Sequence, residues 1–235
     1  MAERIFDLLR HGEVQGGGRF RGSHDDPLAP AGWEQMRSAV AADAAAGRAN
    51  WDQVLYSPAL RCADFALELA SQRGLPTTPV PELRERGFGV WEGLRAEQIP
   101  IEDLSRFWAN PLKYDPPEAE PFVIFRERVV RGWQKLLAGD ALRPLIVTHG
   151  GVVRVVIGEV FGLSADRLLL LEVPPACRTR LRVPTGGGRP ESDQSWPRGD
   201  SPGLGLISVL SFGIVPRCRD RCQGRNEGLV SSWLL

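Results

Sequence analysis

The sequence predicts an α/β protein: a three-layer α/β/α sandwich whose mainly parallel sheet carries helices on both faces. Three observations lead there. Short β-rich runs alternate with helical periods over residues 1–184, two of those runs end in a histidine followed by glycine, and no internal repeat interrupts the alternation. Hydrophobic residues make up 43% of the chain and charged ones 25%, the proportions of an ordinary globular domain facing water.

The elements follow in order. Ile5-Phe6-Asp7-Leu8-Leu9 is a short apolar run that stops at Arg10-His11-Gly12-Glu13, as a strand does when it opens into a loop. Behind Pro30-Ala31-Gly32, the residues Trp33, Met36, Val40 and Ala44 recur along one face of a helix. Gln53-Val54-Leu55-Tyr56 reads as a strand. After it, Ser57-Pro58 predicts a helix start, with Ser57 as the cap, Pro58 in the first turn, and Ala59, Ala63, Ala66, Leu67 and Ala70 on the apolar face. Thr78-Pro79-Val80 is a further strand, and Phe122, Phe125, Val129, Trp133 and Leu136 line a longer helix. Leu145-Ile146-Val147-Thr148 passes through His149-Gly150-Gly151 into an apolar segment, 152–157, that reads as a buried helix. Residues 168–173 and 179–183 predict two more strands.

Past residue 184 the character changes. The tail, 185–235, is rich in Gly, Pro and Ser and carries no period, so it reads as disordered or atypical. Its apolar stretch, 204–215, is too short to span a bilayer and leaves association of copies open. Cys218 and Cys222 stand at CxxxC spacing without a nearby histidine, and no metal is expected.

Charge and cysteine usage exclude several classes. Lys+Arg and Asp+Glu are equal at 29, so no global field points to nucleic acid or an anionic membrane. All basic residues but Lys113 and Lys135 are arginine, the side chain suited to bidentate phosphate recognition. No run approaches the roughly 20 apolar residues of a spanning helix. The N-terminal residues lack a secretory pattern, and four scattered cysteines make no disulfide scaffold, so a cytoplasmic location is expected.

Four segments offer phosphate-handling side chains where strands end or helices begin. They are Arg10-His11-Gly12, Arg61 in the helix after Ser57-Pro58, Glu85 in Leu83-Arg84-Glu85-Arg86-Gly87, and His149 in Thr148-His149-Gly150-Gly151. In an open α/β sheet the carboxyl ends of the strands meet the ligand, and this topology would bring all four to one edge. A small phosphorylated metabolite is the partner these residue types suit.

Together with Trp91-Glu92-Gly93, these segments resemble the histidine phosphatase superfamily, with its phosphoglycerate-mutase-like fold, in order and spacing over residues 4–183. The loop Gly16-Gly17-Gly18-Arg19-Phe20-Arg21-Gly22-Ser23, with Asp26-Pro27-Leu28, is most similar to α-ribazole phosphatases of cobalamin assembly. The resemblance implies a histidine phosphatase domain over 1–184 and a phosphomonoesterase acting through phosphohistidine, on α-ribazole phosphate or adenosylcobalamin phosphate. It implies His11 as nucleophile, Arg10, Arg61 and His149 around the transferring group, and Glu85 as general acid and base. Arg21 and Gly22 would touch the substrate phosphate, Gly150 (with Gly151) would let the helix start approach it, and Arg19 would contact the rest of the substrate. No metal or cofactor is implied, since arginines supply the positive charge.

Three departures bear on activity. Glycines stand near Gly17 where many mutases carry asparagine, Phe65 replaces a common threonine, and Gly87 replaces a usual aspartate. The first weakens the alternative of a phosphoglycerate mutase, as does the brevity of the segment 99–120. A broad-specificity sugar-phosphate phosphatase is a further alternative. A non-catalytic module binding a phosphorylated ligand is a third, disfavoured because all five catalytic candidates are present.

Overall fold

The computed structural model describes residues 3–110 and 112–184. Five strands, β1 (Glu3–Arg10), β2 (Gln53–Tyr56), β3 (Thr77–Pro79), β4 (Pro144–Thr148) and β5 (Arg178–Pro184), form one sheet in the order β3-β2-β4-β1-β5. The first four pair in parallel, and β5 joins the outer side of β1 antiparallel. The tail beyond residue 184, with its apolar run and CxxxC pair, lies outside the described residues.

Side chains on the strands alternate with the period of two of a pleated backbone. Phe6, Leu8, Leu55 and Ile146 enter one buried cluster, while Leu9, Val54, Leu145 and Val147 enter another. The first is completed by Phe125, Val129 and Trp133 of α4 (Phe122–Ala138) and by Val152, Val153 and Val156 of α5 (Gly150–Phe161). The second is completed by Met36 and Val40 of α1 (Pro30–Ala45) and by Cys62, Phe65 and Leu69 of α2 (Leu60–Arg73). Two helices on each face give the three layers that the alternation predicts. β4 is buried along its whole length, which is why its sequence is apolar without interruption. Among the described residues no helix is long and apolar enough to cross a membrane.

The antiparallel edge is tied by charge. Asp7, fully buried on β1, accepts from Arg180 at 2.7 and 2.8 Å, from Arg178 at 2.9 Å and from the Trp51 indole at 2.7 Å. A buried carboxylate with that many donors is satisfied rather than stranded.

The structure corrects two sequence expectations and adds one element. Residues 168–173 do not form a strand: a 3-10 helix, Ala165–Leu170, buries Leu168 and leaves Leu170 73% exposed. A short apolar run does not by itself separate strand from helix. Ser57 is not the cap of α2, whose N-cap is Ala59 with no side-chain bond, and Pro58 precedes the helix. Between residues 99 and 120, to which the sequence reading assigned no element, Pro100 leads into α3 (Ile101–Ala109).

Leu104 and Phe107 of α3 join Phe20, Trp91 and Ile99 in a third, smaller cluster. Phe20 meets Trp91 edge-on at 5.1 Å and Phe107 at 6.0 Å. The segment after α3 is pinned by Arg86, which pairs with Asp115 and donates to the Glu120 carbonyl at 2.9 Å. Gly89, at φ 56°, passes so close to the Pro117 carbonyl that a Cβ would stand 2.1 Å from it.

Candidate active site

The carboxyl ends of β2, β4 and β1 lie side by side, since Tyr56 pairs with Val147 and Arg10 with Thr148. The ladder runs one residue further: the Ser57 amide donates to the Val147 carbonyl and the His11 amide to the Thr148 carbonyl, both at 2.9 Å. Ser57, His149 and His11 therefore leave three adjacent strands at one level. The chain after His11 is held down by a mutual approach of glycines. A Cβ on Gly12 would stand 2.2 Å from the Gly32 carbonyl, and one on Gly32 would stand 2.0 Å from the Glu13 carbonyl.

His11 Nδ1 lies 2.8 Å from the Gly12 carbonyl, an acceptor, so Nδ1 carries the proton and Nε2 keeps its lone pair. Burial, then the charges of Arg10 and Arg61, hold its pKa well below the usual histidine value. The ring is neutral and nucleophilic at Nε2. The His149 ring lies 5.3 Å away, centroid to centroid, at 69°. Burial, then Arg61, depress its pKa too. Its Nε2 is 2.7 Å from Ser57 Oγ, both residues being wholly buried.

The arginines are fixed by carbonyls. Arg10 donates to the Val173 carbonyl, and burial followed by Arg154 lowers its pKa to about 10, so it stays charged at neutral pH. Arg61, in the first turn of α2, donates to the His24 and Gly22 carbonyls at 3.0 and 3.1 Å. Arg21 is braced by Asp26 at 2.7 Å and by the Gln15 carbonyl at 2.7 Å. The Nε atoms of Arg10 and Arg19 are buried without a hydrogen-bond partner among the described residues. Glu85 receives the Arg86 amide at Oε1 and the Gly151 amide at Oε2, each at 3.0 Å.

These groups enclose a cavity of about 210 Å³ whose walls include Arg10, His11, Arg19, Arg21, Arg61 and Glu85. A second cavity of about 500 Å³ shares Arg10, Arg21 and Glu85 with it and continues between Phe88, Phe107, Trp108, Phe122, Phe125 and Leu168. Glu85 thus stands at the junction of a cationic chamber and a larger, mostly apolar one. Gly150 lines the larger chamber.

Not every expected site residue reaches the chambers. Gly22 lines neither; its carbonyl holds Arg61, and a Cβ there would strike the Arg86 carbonyl at 2.2 Å. The Gly151 amide, expected near the anion, is taken by Glu85. His149 is not among the residues lining either chamber; its ring stands edge-on to that of His11. Trp91 is buried in the third cluster, whereas Trp108 lines the larger chamber. Ser57 and Arg154 were missed as site residues. For Arg154 a signal existed, a single cation inside the apolar run Val152-Val153-Arg154-Val155-Val156.

Comparison with known proteins agrees with this geometry. Residues 6–193 match the histidine phosphatase superfamily (branch 1). The adenosylcobalamin/α-ribazole phosphatase of Escherichia coli is 30% identical over 182 residues, covering 75% of this chain and 88% of that protein. A bisphosphoglycerate-dependent phosphoglycerate mutase of Rhizobium etli is 28% identical over 189 residues, covering 75% and 89%. The crystal structure of the α-ribazole phosphatase of Shigella flexneri superposes with a TM-score of 0.67 at 29% identity, covering 77% of this chain and 91% of that one. The chain belongs to the histidine phosphatase superfamily and is a phosphatase of the phosphoglycerate-mutase-like fold.

Proposed function

We propose that this phosphatase hydrolyses α-ribazole phosphate, or the related adenosylcobalamin phosphate, with His11, Glu85, Arg10, Arg61 and His149 as its catalytic groups. The observation that carries the reading is the neutral His11 ring, Nε2 free, in a cationic chamber whose exit past Glu85 is lined by aromatic rings.

In the first step His11 Nε2 attacks phosphorus, the P–N bond forms, and the ester P–O bond breaks. Glu85, protonated, gives its proton to the departing alkoxide oxygen. In the second step a water attacks the phosphohistidine, Glu85 as carboxylate takes the proton from that water, and the P–N bond breaks. Arg10, Arg61, Arg19 and Arg21 face the charge spread over the equatorial oxygens, and carbonyls or carboxylates already hold Arg10, Arg61 and Arg21 before substrate enters. Gly22 acts through Arg61 by holding its fork. His149, if Ser57 donates to its Nε2, carries its own proton on Nδ1 and so offers a hydrogen bond without another charge.

The larger chamber favours hydrolysis of an ester with an aromatic leaving group over transfer within phosphoglycerate, which has no apolar part to bury. The test is a turnover screen of the purified protein over phosphomonoesters. α-Ribazole phosphate is expected to exceed 3-phosphoglycerate and glycerol phosphate in kcat/KM by about 100-fold, the worth of burying a few apolar ring atoms at roughly 25 cal/mol per Å². Preference for 3-phosphoglycerate, or isomerisation faster than phosphate release, would overturn the proposal in favour of a mutase.

A further inference from the structure

Arg154 projects from α5 into the larger chamber, one turn beyond the helix start, and has no part in the reaction steps above. Its Nε donates to the Leu171 carbonyl at 2.9 Å, which anchors the guanidinium. Its two terminal nitrogens make no hydrogen bond among the described residues. Gly150 leaves them room: a Cβ there would stand 3.4 Å from Arg154 Nη1 and 3.4 Å from Arg10 Nε. A held cation with free donors, set in a largely apolar wall beside the general acid, is a recognition element in want of an acceptor.

We infer that Arg154 is a specificity-determining residue that receives a neutral oxygen of the leaving group close to the ester bond, making the preferred leaving alcohol sugar-like on the near side and an apolar ring on the far side. The inference rests on the reading that the phosphoryl group occupies the smaller chamber. Order along the cavity then sets the order of chemistry in the substrate: phosphate among the arginines, ester oxygen at Glu85, an oxygen acceptor at Arg154, and rings between Phe107, Trp108 and Phe125.

Charge decides between a neutral oxygen and a carboxylate. Arg154 is faced by Glu85 and Glu172, whose charges act to raise its pKa against the lowering by burial. Arg10 stands on the other side, and the Arg154 charge lowers its pKa, so Arg154 sits between two acids and a second cation. A carboxylate brought to it would meet Glu172 and give up its hydration in a largely apolar wall, whereas a hydroxyl or ring oxygen accepts from the free nitrogens at a lower desolvation cost.

The experiment compares three monoesters on the full-length wild type, Arg154→Met and Arg154→Lys. One is the ribosyl ester proposed above, the second is naphthylethyl phosphate, a primary alkyl ester with an aromatic ring but no neighbouring oxygen, and the third is 3-phosphoglycerate. The readout is the ratio of kcat/KM for the ribosyl ester over naphthylethyl phosphate. That ratio is expected to fall about 10- to 100-fold in Arg154→Met, the range for losing a hydrogen bond to a charged group. Arg154→Lys, which keeps charge and length but not the fork, is expected to fall between, and it decides the matter alone if the methionine variant does not fold. A ratio within about threefold of wild type overturns the inference, as does a loss confined to 3-phosphoglycerate. Poor wild-type turnover of the ribosyl ester relative to 3-phosphoglycerate would instead count against the substrate reading.

Discussion

Ser57→Ala isolates the hydrogen bond behind the second histidine. Ser57 Oγ and His149 Nε2 are 2.7 Å apart with both residues at 0% exposure, so removing the hydroxyl leaves a buried ring nitrogen with only the weakly bonding Cys62 thiol, 3.7 Å away, in its place. Stranding such a group costs about 1–3 kcal/mol. For a domain of this size that is a fall in Tm of roughly 2–4 °C per kcal/mol. The kinetic effect has a separate cause. Without the serine, the proton of the neutral ring can sit on either nitrogen, and the tautomer with hydrogen on Nδ1 is no longer favoured. A neutral hydrogen bond to the transferring group is worth a fall in kcat of about 10- to 100-fold, or 1.4–2.7 kcal/mol. Steady-state kinetics with thermal unfolding, on Ser57→Ala and Ser57→Thr, separates the two. The account expects kcat to fall with KM little changed in the alanine variant and the threonine hydroxyl to restore most of it. A kcat within twofold of wild type in Ser57→Ala, or equal damage in both variants, refutes the reasoning.

Stability should fall with acid in a window set by the two buried rings. His11 and His149 have folded pKa values depressed well below 6.5, so the unfolded chain binds more protons and their neutrality stabilises the fold above pH 6.5. That contribution is lost as pH drops below 6.5, at up to about 1.4 kcal/mol per ring per pH unit, and denaturant titrations from pH 7.5 downward should show it. A flat profile across that window in wild type, or the same slope in His11→Asn, would contradict the assignment. Gly151→Ala should keep the fold but harm the acid, because its Cβ would stand 2.3 Å from Glu85 Oε1, the far end of a flexible side chain that can swing away from the Arg86 amide. Turnover of alkyl esters is expected to fall about 100-fold, near the lower end of what a general acid supplies, with aryl esters of good leaving groups affected least. Equal losses for both classes would show that Gly151 does not act through Glu85.

Local motifs made most of this site legible, because its groups sit where one element hands over to the next. Arg10-His11-Gly12 and Thr148-His149-Gly150 end adjacent parallel strands, so a short apolar run followed by histidine and glycine marked them. Arg61 and Glu85 needed the family pattern, since a helix arginine and a loop acid look alike from sequence whether or not they face a cavity. Ser57 was misread because Ser-Pro ahead of a helix has an ordinary reading as a cap; only the sheet order, which sets β2 beside β4, shows that its hydroxyl has a different partner. The run 168–173 failed for want of length, being apolar in either conformation. α3 is nine residues between two prolines, and its face of Leu104 and Phe107 gains meaning only against Phe20 and Trp91, distant in sequence.

The most direct test of phosphoryl transfer to His11 is rapid acid-free quenching of the enzyme with radiolabelled substrate, followed by peptide mapping. Label stable to alkali, lost in acid, attached at position 11 and missing from His11→Ala is the predicted result. Sustained phosphate release with no labelled enzyme, or with label on another residue, contradicts it.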